Sequence, residues 1–336
     1  MNVGLIGTGA IAQKHGDCYK ELGFNVAAAS DIFEEKGRKF VAKYGGDFVA
    51  DWRDLCARPD IDYVDVCTFP DSRPGIVAEC AKNRRHVQVQ KPIALTLEAA
   101  KGMVAAAREA NIKLGVISQH RFDDATIFVK KALAAGRLGK ILQADSYVKW
   151  HRPQSYYDNP GKGTWKVEGG GALINQAIHG VDLLLYLIGP VTEIYANWQL
   201  AAAHKMESED VVNAVVRYGN GATGVLQSST AVWPGYPERI EIHGTKGTAI
   251  ITGDKLTAWD VKDDEGDPAP VETSLDSGAS DPMAISLEPI KRQFTDFANA
   301  IKEDRRPNCS GEDGYRALEV VLKTYDSARE GRVVKL

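Results

Sequence analysis

The stretch Val3-Gly4-Leu5-Ile6-Gly7-Thr8-Gly9-Ala10-Ile11-Ala12 constrains this chain more than any other. A short apolar run, which reads as a buried strand, turns through Gly7 and Gly9 into a segment that reads as the start of a helix. The spacing is G-x-G-x-x-A. In such a strand–turn–helix Gly7 permits the tight turn. Gly9 has no side chain to keep the backbone amides around Ala10 and Ile11 from a pyrophosphate. Ala12 lets the helix lie close on the strand. The unpaired N–H groups of the helix start then face the phosphates. A second apolar run, Val26-Ala27-Ala28-Ala29, ends at Ser30-Asp31. That is near the place, roughly 20 residues on, where an acid binds the ribose. Asp31 would accept hydrogen bonds from a ribose diol and repel a 2′-phosphate, which predicts NAD rather than NADP. The alternative is a glycine turn in an ordinary βαβ unit.

At 336 residues the chain exceeds one comfortable core. Two domains are expected: 1–120, which binds the dinucleotide, and 121–336, which binds substrate and oligomerises, with a last helix at 311–329 free to pack back on the first. The net charge of −4, with no Lys/Arg block, argues against a nucleic-acid partner. The first strand begins at residue 2 or 3, which leaves no room for a signal peptide. No long uncharged apolar stretch predicts a membrane span. Five cysteines without C-x-x-C spacing read as reduced thiols of a cytoplasmic protein. The seven histidines are dispersed, and no metal site is expected.

Along the first third, candidate strands at 2–6, 25–30, 46–49, 62–66, 86–89 and 113–118 alternate with helical patterns such as Glu34 to Lys43 and Leu97 to Ala110. That alternation predicts an α/β, doubly wound parallel sheet, whose ligands bind beyond the carboxyl ends of the strands. The residues there are Thr68, a candidate cofactor contact, with Asp71 as the expected cap of the next helix; Gln90-Lys91-Pro92 after the fifth strand; and Gln119 after the sixth. A lysine at a strand end is also commonly a solvated charge.

The pattern then changes. Trp150-His151-Arg152-Pro153-Gln154-Ser155-Tyr156-Tyr157 and Trp165-Lys166-Val167-Glu168 are irregular, aromatic and basic. Flat rings with hydrogen-bonding edges suit sugars, and equally suit a loop stapled to the surface. Gly169-Gly170-Gly171 precedes a helix whose apolar residues run from Leu173 to Ile188. On it Asn175, His179 and Asp182 share one face. A satisfied buried histidine is the plain explanation; the glycines add a close approach to another backbone or a ligand. Residues 191–260 read as a mainly antiparallel sheet, 261–283 as a loop, and about 288–303 and 311–329 as helices. Too few helices follow to cover both faces of this sheet. It is expected to pair with a copy of itself as a homodimer or homotetramer, with Trp198, Tyr218 and Trp233 as anchors.

The G-x-G-x-x-A turn, the Lys91-Pro92 pair and the Gly-Gly-Gly…His179…Asp182 helix together resemble the Gfo/Idh/MocA oxidoreductases over nearly the whole chain. The resemblance implies an N-terminal Rossmann domain and a C-terminal α/β domain on an open-faced sheet. It implies an NAD-dependent dehydrogenase that oxidises a secondary hydroxyl of a small carbohydrate, with Lys91 and His179 flanking the carbinol. The Asn175 to His179 run and Tyr156-Tyr157…Trp165 look most like members acting on C3 of hexopyranosides or sugar nucleotides. His179 would take the hydroxyl proton and Lys91 would stabilise the developing alkoxide. Asn175 or Asp182 would hold the imidazole; Arg152, Tyr156, Tyr157 and Trp165 would grip the sugar. Gln90, Lys91 and Gln119 would line the cofactor side. Three departures stand out: Gln90 where the family usually has Glu, Asn175 where many members have Asp, and Phe69-Pro70-Asp71-Ser72-Arg73 where a Pro-Asn-x-x-His pattern is common. An NAD-dependent glycosidase working by transient C3 oxidation, an inositol or sugar-nucleotide dehydrogenase, and a non-enzymatic NAD-sensing regulator are the alternatives.

Overall fold

The apolar runs of the first third become β1 (Asn2–Ile6), β2 (Asn25–Ser30), β3 (Asp47–Phe48), β4 (Tyr63–Val66), β5 (His86–Val89) and β6 (Leu114–Val116). Between them lie α1 (Ala10–Leu22), α2 (Glu34–Tyr44), α3 (Trp52–Ala57), α4 (Arg73–Lys82) and α5 (Leu97–Glu109). In this computed structural model, which describes residues 1–201, 203–266, 268–271 and 286–336, the six strands are parallel in the order β3-β2-β1-β4-β5-β6. Helices cover both faces of such a sheet, so its inner strands are apolar throughout; Val3, Leu5, Val64, Val66, Val87 and Val89 are all sealed. The strand order reverses at β1, between β2 and β4, and the ends of β1 and β4 therefore frame the crevice where ligands of this fold bind.

This sheet belongs to a compact unit made of Met1–Gln119 together with Ser286–Tyr315. The sequence pattern places 121–336 in the second domain with the 311–329 helix free to pack back; the segment that returns is Ser286–Tyr315, and from Arg316 on the last helix belongs to the other unit. The returning helix Leu287–Lys302 supplies the reason. Its Phe294 stacks on Tyr19 with ring centroids 4.6 Å apart, and its Phe297 meets Tyr63 edge-on. Gly115 leaves room for the Phe297 ring, because a Cβ there would lie 2.8 Å from it.

The other unit starts at His120 and takes up the chain again at Arg316–Leu336. After a 3-10 turn (Gln119–Phe122) come α6 (Asp124–Ala134), β7 (Ile141–Lys149), α7 (Gln154–Tyr157), a π-helical segment (Ala172–Ala177) and α8 (Ile178–Leu187). Then follow β8 (Val191–Gln199), β9 (Val211–Tyr218), β10 (Thr223–Ser229), β11 (Arg239–Gly244), β12 (Gly247–Thr252) and β13 (Lys255–Val261); α9 (Leu287–Lys302), α10 (Gly311–Glu330) and β14 (Val334–Lys335) close the chain. Eight strands form a sheet in the order β13-β12-β11-β7-β10-β9-β8-β14, antiparallel except for β7 with β10. Of the expected 261–283 loop, the part from 272 on lies outside the described residues.

Alternation decides what each face carries. On β9, Val212, Ala214, Val216 and Tyr218 are buried, whereas Val215 is 56% exposed. Two expected anchors therefore sit on the wrong face. Tyr218 is sealed and its hydroxyl donates to the Ala144 carbonyl. Trp198 is opposite the buried Val212 and packs against Trp165. Trp233 is exposed but lies outside the strands, its ring edge-on to His151. The open face instead carries a cross-strand row, Tyr195–Val215–Val225. Among the described residues no helix is long and apolar enough to cross a membrane.

Candidate active site

In the first unit the expected nucleotide turn has the form the sequence demands. Gly7 has a φ of 87°, and a Cβ there would meet Thr68 at 2.9 Å. Gly9 caps α1, and nothing lies within 4 Å of where its Cβ would be. The helix start is thus open, with amides and no side-chain cap, and a pyrophosphate fits it. Asp31 is half-buried beside it. One oxygen accepts from the Thr8 amide at 2.7 Å and the Thr8 hydroxyl at 2.8 Å; the other accepts from the Phe33 amide at 2.8 Å. Asp31 thereby holds the glycine turn itself. Ile32 and Phe33, next in sequence, are exposed apolar side chains that nothing in the motif had marked.

At the ends of β4 and β5 the organising residue is Arg73, which sequence patterns did not single out. It is buried, and its guanidinium donates to the carbonyls of Thr68, Gln90 and Pro92. The backbone on both sides of Lys91 is fixed by this one side chain. Burial lowers Arg73 to about 9, although Cys67 and Asp71 oppose the fall. Asp71 does not cap α4. Ser72 stands at the cap, and its hydroxyl donates to Thr68 Oγ1 at 2.8 Å and to the Phe69 carbonyl at 3.0 Å. Gln90 turns inward: its Nε2 lies 2.9 Å from His15 Nε2, and His15 Nδ1 lies 2.7 Å from Asp65 Oδ2, which also accepts from the Tyr19 hydroxyl. Lys91 is half-buried, and Gln119 is buried in the 3-10 turn.

In the second unit the triple glycine exists for another backbone. A Cβ on Gly171 would fall 1.9 Å from the Glu209 carbonyl oxygen, and one on Gly170 would fall 2.4 Å from the Tyr325 hydroxyl. Glu209 is fully buried there. Its carboxylate accepts from the Gly171 amide at 2.7 Å, the Leu173 amide at 2.8 Å and the Tyr325 hydroxyl at 2.9 Å. Burial raises Glu209 to about 7 even though these donors oppose the rise. The helix that starts on this anchor is π-wound through Ala177 before it becomes α-helical. Such insertions are frequent at functional sites.

That helix carries Asn175 and His179, both half-buried. Asn175 Nδ2 donates to Glu168 at 2.7 Å, and Gln176 Nε2 donates to the Tyr156 hydroxyl at 3.1 Å. Lys162 pairs with Glu168 at 2.6 Å, its ammonium 5.1 Å from the Tyr156 ring centroid. Burial alone would lower Lys162; Tyr156 and Glu168 beside it hold it above its ordinary value. Arg152 is sealed with its guanidinium over the Trp150 and Tyr156 rings. His120 sits edge-on to His179 and bonds Asp123 through Nδ1 at 2.8 Å. Burial opposes its charge, but Asp123 prevails and raises it to about 9. Both Asp182 oxygens accept from Arg121, at 2.7 and 2.5 Å, so Asp182 anchors an arginine.

The structure therefore gathers Arg152, Tyr156 and Asn175 and adds Lys162, Glu168 and His120. Tyr157 is packed on His204 with its hydroxyl 2.7 Å from Thr230 Oγ1. Trp165 lies among Trp198, Tyr325 and Arg329. Two groups of ligand-type atoms stand close together, His15/Asp65/Cys67 and Asp145/Glu241/His243. The first is the buried network behind Gln90. In the second, Arg239 and Gln143 already donate to the carboxylates.

Residues 1–118 match an oxidoreductase family with an NAD-binding Rossmann fold, and residues 127–250 match the GFO/IDH/MocA C-terminal domain. A myo-inositol 2-dehydrogenase of Thermotoga maritima is 29% identical over 100% of this chain and 98% of its own. A 1,5-anhydro-D-fructose reductase of Ensifer adhaerens is 28% identical over 99% of this chain and 98% of its own. The WlbA dehydrogenase of Bordetella pertussis, solved in complex with NADH and UDP-GlcNAcA, is 30% identical with a TM-score of 0.87, covering 100% of this chain and 98% of that one. With both domains matched in order on a doubly wound sheet followed by an open-faced one, this chain belongs to the Gfo/Idh/MocA oxidoreductases, NAD-binding through their Rossmann domain.

Proposed function

We propose that this chain oxidises a secondary ring hydroxyl, that of C3, of a hexopyranoside or sugar nucleotide to the ketone, with NAD as hydride acceptor. The observation that carries the reading is the state in which the two reactive side chains are kept. Lys91 stands at the end of β5 between carbonyls clamped by Arg73, and His179 stands half-buried on a helix anchored by Glu209. In this reading the two act on one carbinol. NAD, when bound at the β1 turn, supplies the acceptor for the hydride leaving carbon. His179 takes the hydroxyl proton through a neutral ring nitrogen. The Lys91 ammonium donates a hydrogen bond to the oxygen as negative charge develops there. Asn175 holds the imidazole, Tyr156 binds a remaining hydroxyl, and Arg152, expected from sequence to grip the sugar but sealed here, backs the Tyr156 ring. Asp31 favours NAD over NADP by its charge, and the setting is cytoplasmic.

The likeness to WlbA, seen with NADH and UDP-GlcNAcA, supports a sugar nucleotide. The likeness to a myo-inositol 2-dehydrogenase favours a second reading, a cyclitol. Purified protein and NAD, offered UDP-GlcNAcA, methyl α-D-glucopyranoside and myo-inositol in turn, separate these by NADH absorbance. His179→Ala is expected to lower turnover by about 10²–10⁴-fold with NAD affinity nearly unchanged. No NADH from any of these compounds, or full turnover by His179→Ala, would overturn the reading.

A further inference from the structure

Asn175 lies in the π-helical segment, four residues ahead of His179. Its Nδ2 donates to Glu168 Oε1 at 2.7 Å and reaches the Tyr156 hydroxyl at 3.4 Å. Glu168 is 6% exposed, and its two oxygens also accept from the Lys162 ammonium at 2.6 Å and the Gly163 amide at 2.9 Å. Each of these partners is a donor, so both Glu168 oxygens serve as acceptors. Only the nitrogen end of the Asn175 amide can face it. In an amide the oxygen and nitrogen leave Cγ on opposite sides, so fixing Nδ2 also fixes Oδ1, directed away from Glu168.

We infer that Glu168 is a positioning residue, which orients the Asn175 amide so that position 175 offers a hydrogen-bond acceptor, and never a donor, to the ring N–H of His179, whose other nitrogen takes the hydroxyl proton. The inference rests on the roles proposed above for His179 and Asn175. Its chemistry is simple. The N–H of a neutral imidazole needs an acceptor beside it if the other ring nitrogen is to serve as base, whereas a flipped amide would set two donors against a donor. The negative charge is stored one side chain back, balanced by Lys162, and the neutral amide passes on its polarity. Glu168 and Asn175 are seven residues apart in sequence, and Lys162, Tyr156 and Glu168 all come from the aromatic loop that leads into the glycines.

The test is an exchange of the two side chains in the full-length protein. Glu168→Gln leaves the amide free to turn and strands the Lys162 ammonium. Asn175→Asp sets two carboxylates at hydrogen-bond distance. The double variant Asn175→Asp/Glu168→Gln restores both the net charge and an obligate acceptor at 175. With whichever of UDP-GlcNAcA, methyl α-D-glucopyranoside or myo-inositol the wild type turns over fastest, kcat is expected to fall at least tenfold in each single variant. NADH affinity by fluorescence titration should stay within twofold, and the exchange should recover most of the lost kcat. The charge-balanced exchange decides the matter even where Glu168→Gln does not fold. If His179→Ala is inactive and the exchange, though folded, is no better than Asn175→Asp, Glu168 is only a brace for Lys162 and the inference fails alone. If His179→Ala remains active, the parent reading fails first.

Discussion

The rings of His120 and His179 meet edge to face, their centroids 5.3 Å apart and their planes at 82°. His120 is tied to Asp123 and raised to about 9, so it is charged at neutral pH. In the proposed reaction a cation there opposes a second proton on the His179 base. Glu238 and Asp254 also act on His120 and favour its charge, and the nearby Arg121–Asp182 pair is balanced. Removing the cation lets His179 protonate more readily, so the acid limb of kcat/KM should move up. For His120→Asn, which removes the cation and leaves Asp123, we expect a shift of about one pH unit toward alkaline. An unmoved limb in this variant would show that the contact is packing alone.

Arg73 predicts a stability effect at a position remote from any helix-packing core. Its donors satisfy three backbone carbonyls, buried at Gln90 and Pro92 and part-buried at Thr68. A methionine fills the same space and leaves them unpaired, at about 1–3 kcal/mol per orphaned group and less than additively. Arg73→Met should therefore lower unfolding free energy in urea by about 2–4 kcal/mol. Lysine should rescue little, since one ammonium cannot span the fork. A loss below about 0.5 kcal/mol, the range of an ordinary surface change, would mean that water replaces the clamp.

These residues mark the limit of what the sequence carries. The strand at Val3–Ile6 and the helix with Asn175 and His179 are legible because apolar spacing and glycine placement are local. Arg73 acts on residues 90 and 92, Glu209 on 171 and 173, and Tyr325 on 209; no periodicity links such partners. The π turn hides for a different reason: Leu173, Ile174, Ala177 and Ile178 satisfy α spacing as well. On β9 the alternation is plain, but which parity faces the helices depends on where α8 and the π segment lie, so the pattern alone does not tell that Tyr218 faces inward. His15 lies on α1 three residues past the nucleotide motif, yet its contacts with Asp65 and Gln90 tie that helix to β4 and to the residue after β5.

Glu209 predicts a pH dependence of stability. Its ordinary value near 4.5 is raised to about 7 in the fold, so between these values the native state holds a proton that the unfolded chain has released. Native binding of the extra proton means that its contribution to stability falls as pH rises from about 4.5 to 7 and is then constant. The full swing is on the order of 3 kcal/mol. Glu209→Gln has no such proton. Measured by urea unfolding, the wild type should lose ground to this variant between pH 5 and pH 8. A stability difference that does not change with pH would place the titration elsewhere.

The last prediction concerns the uncovered sheet face. Tyr195 is paired directly with Val215, and Val215 with Val225, in a row crossing β8, β9 and β10. Tyr195 and Val215 are 51% and 56% exposed. Polar rows flank it: Asn197, Asn213 and Gln227 on one side, and Glu193, Arg217 and Thr223 on the other. A twofold interface uses one patch twice, so an apolar centre with Glu193 and Arg217 at its rim is self-complementary. We expect two copies to join through this row as a homodimer, or as the dimer within a homotetramer. Val215→Glu buries a charge against its own copy and should halve the mass seen by light scattering at micromolar protein. It should leave the far-ultraviolet circular dichroism of the folded chain unchanged, because the side chain touches no core residue of its own face. A monomeric wild type, or an unchanged mass in Val215→Glu and in Tyr195→Glu/Val215→Glu, would rule out this face as the contact.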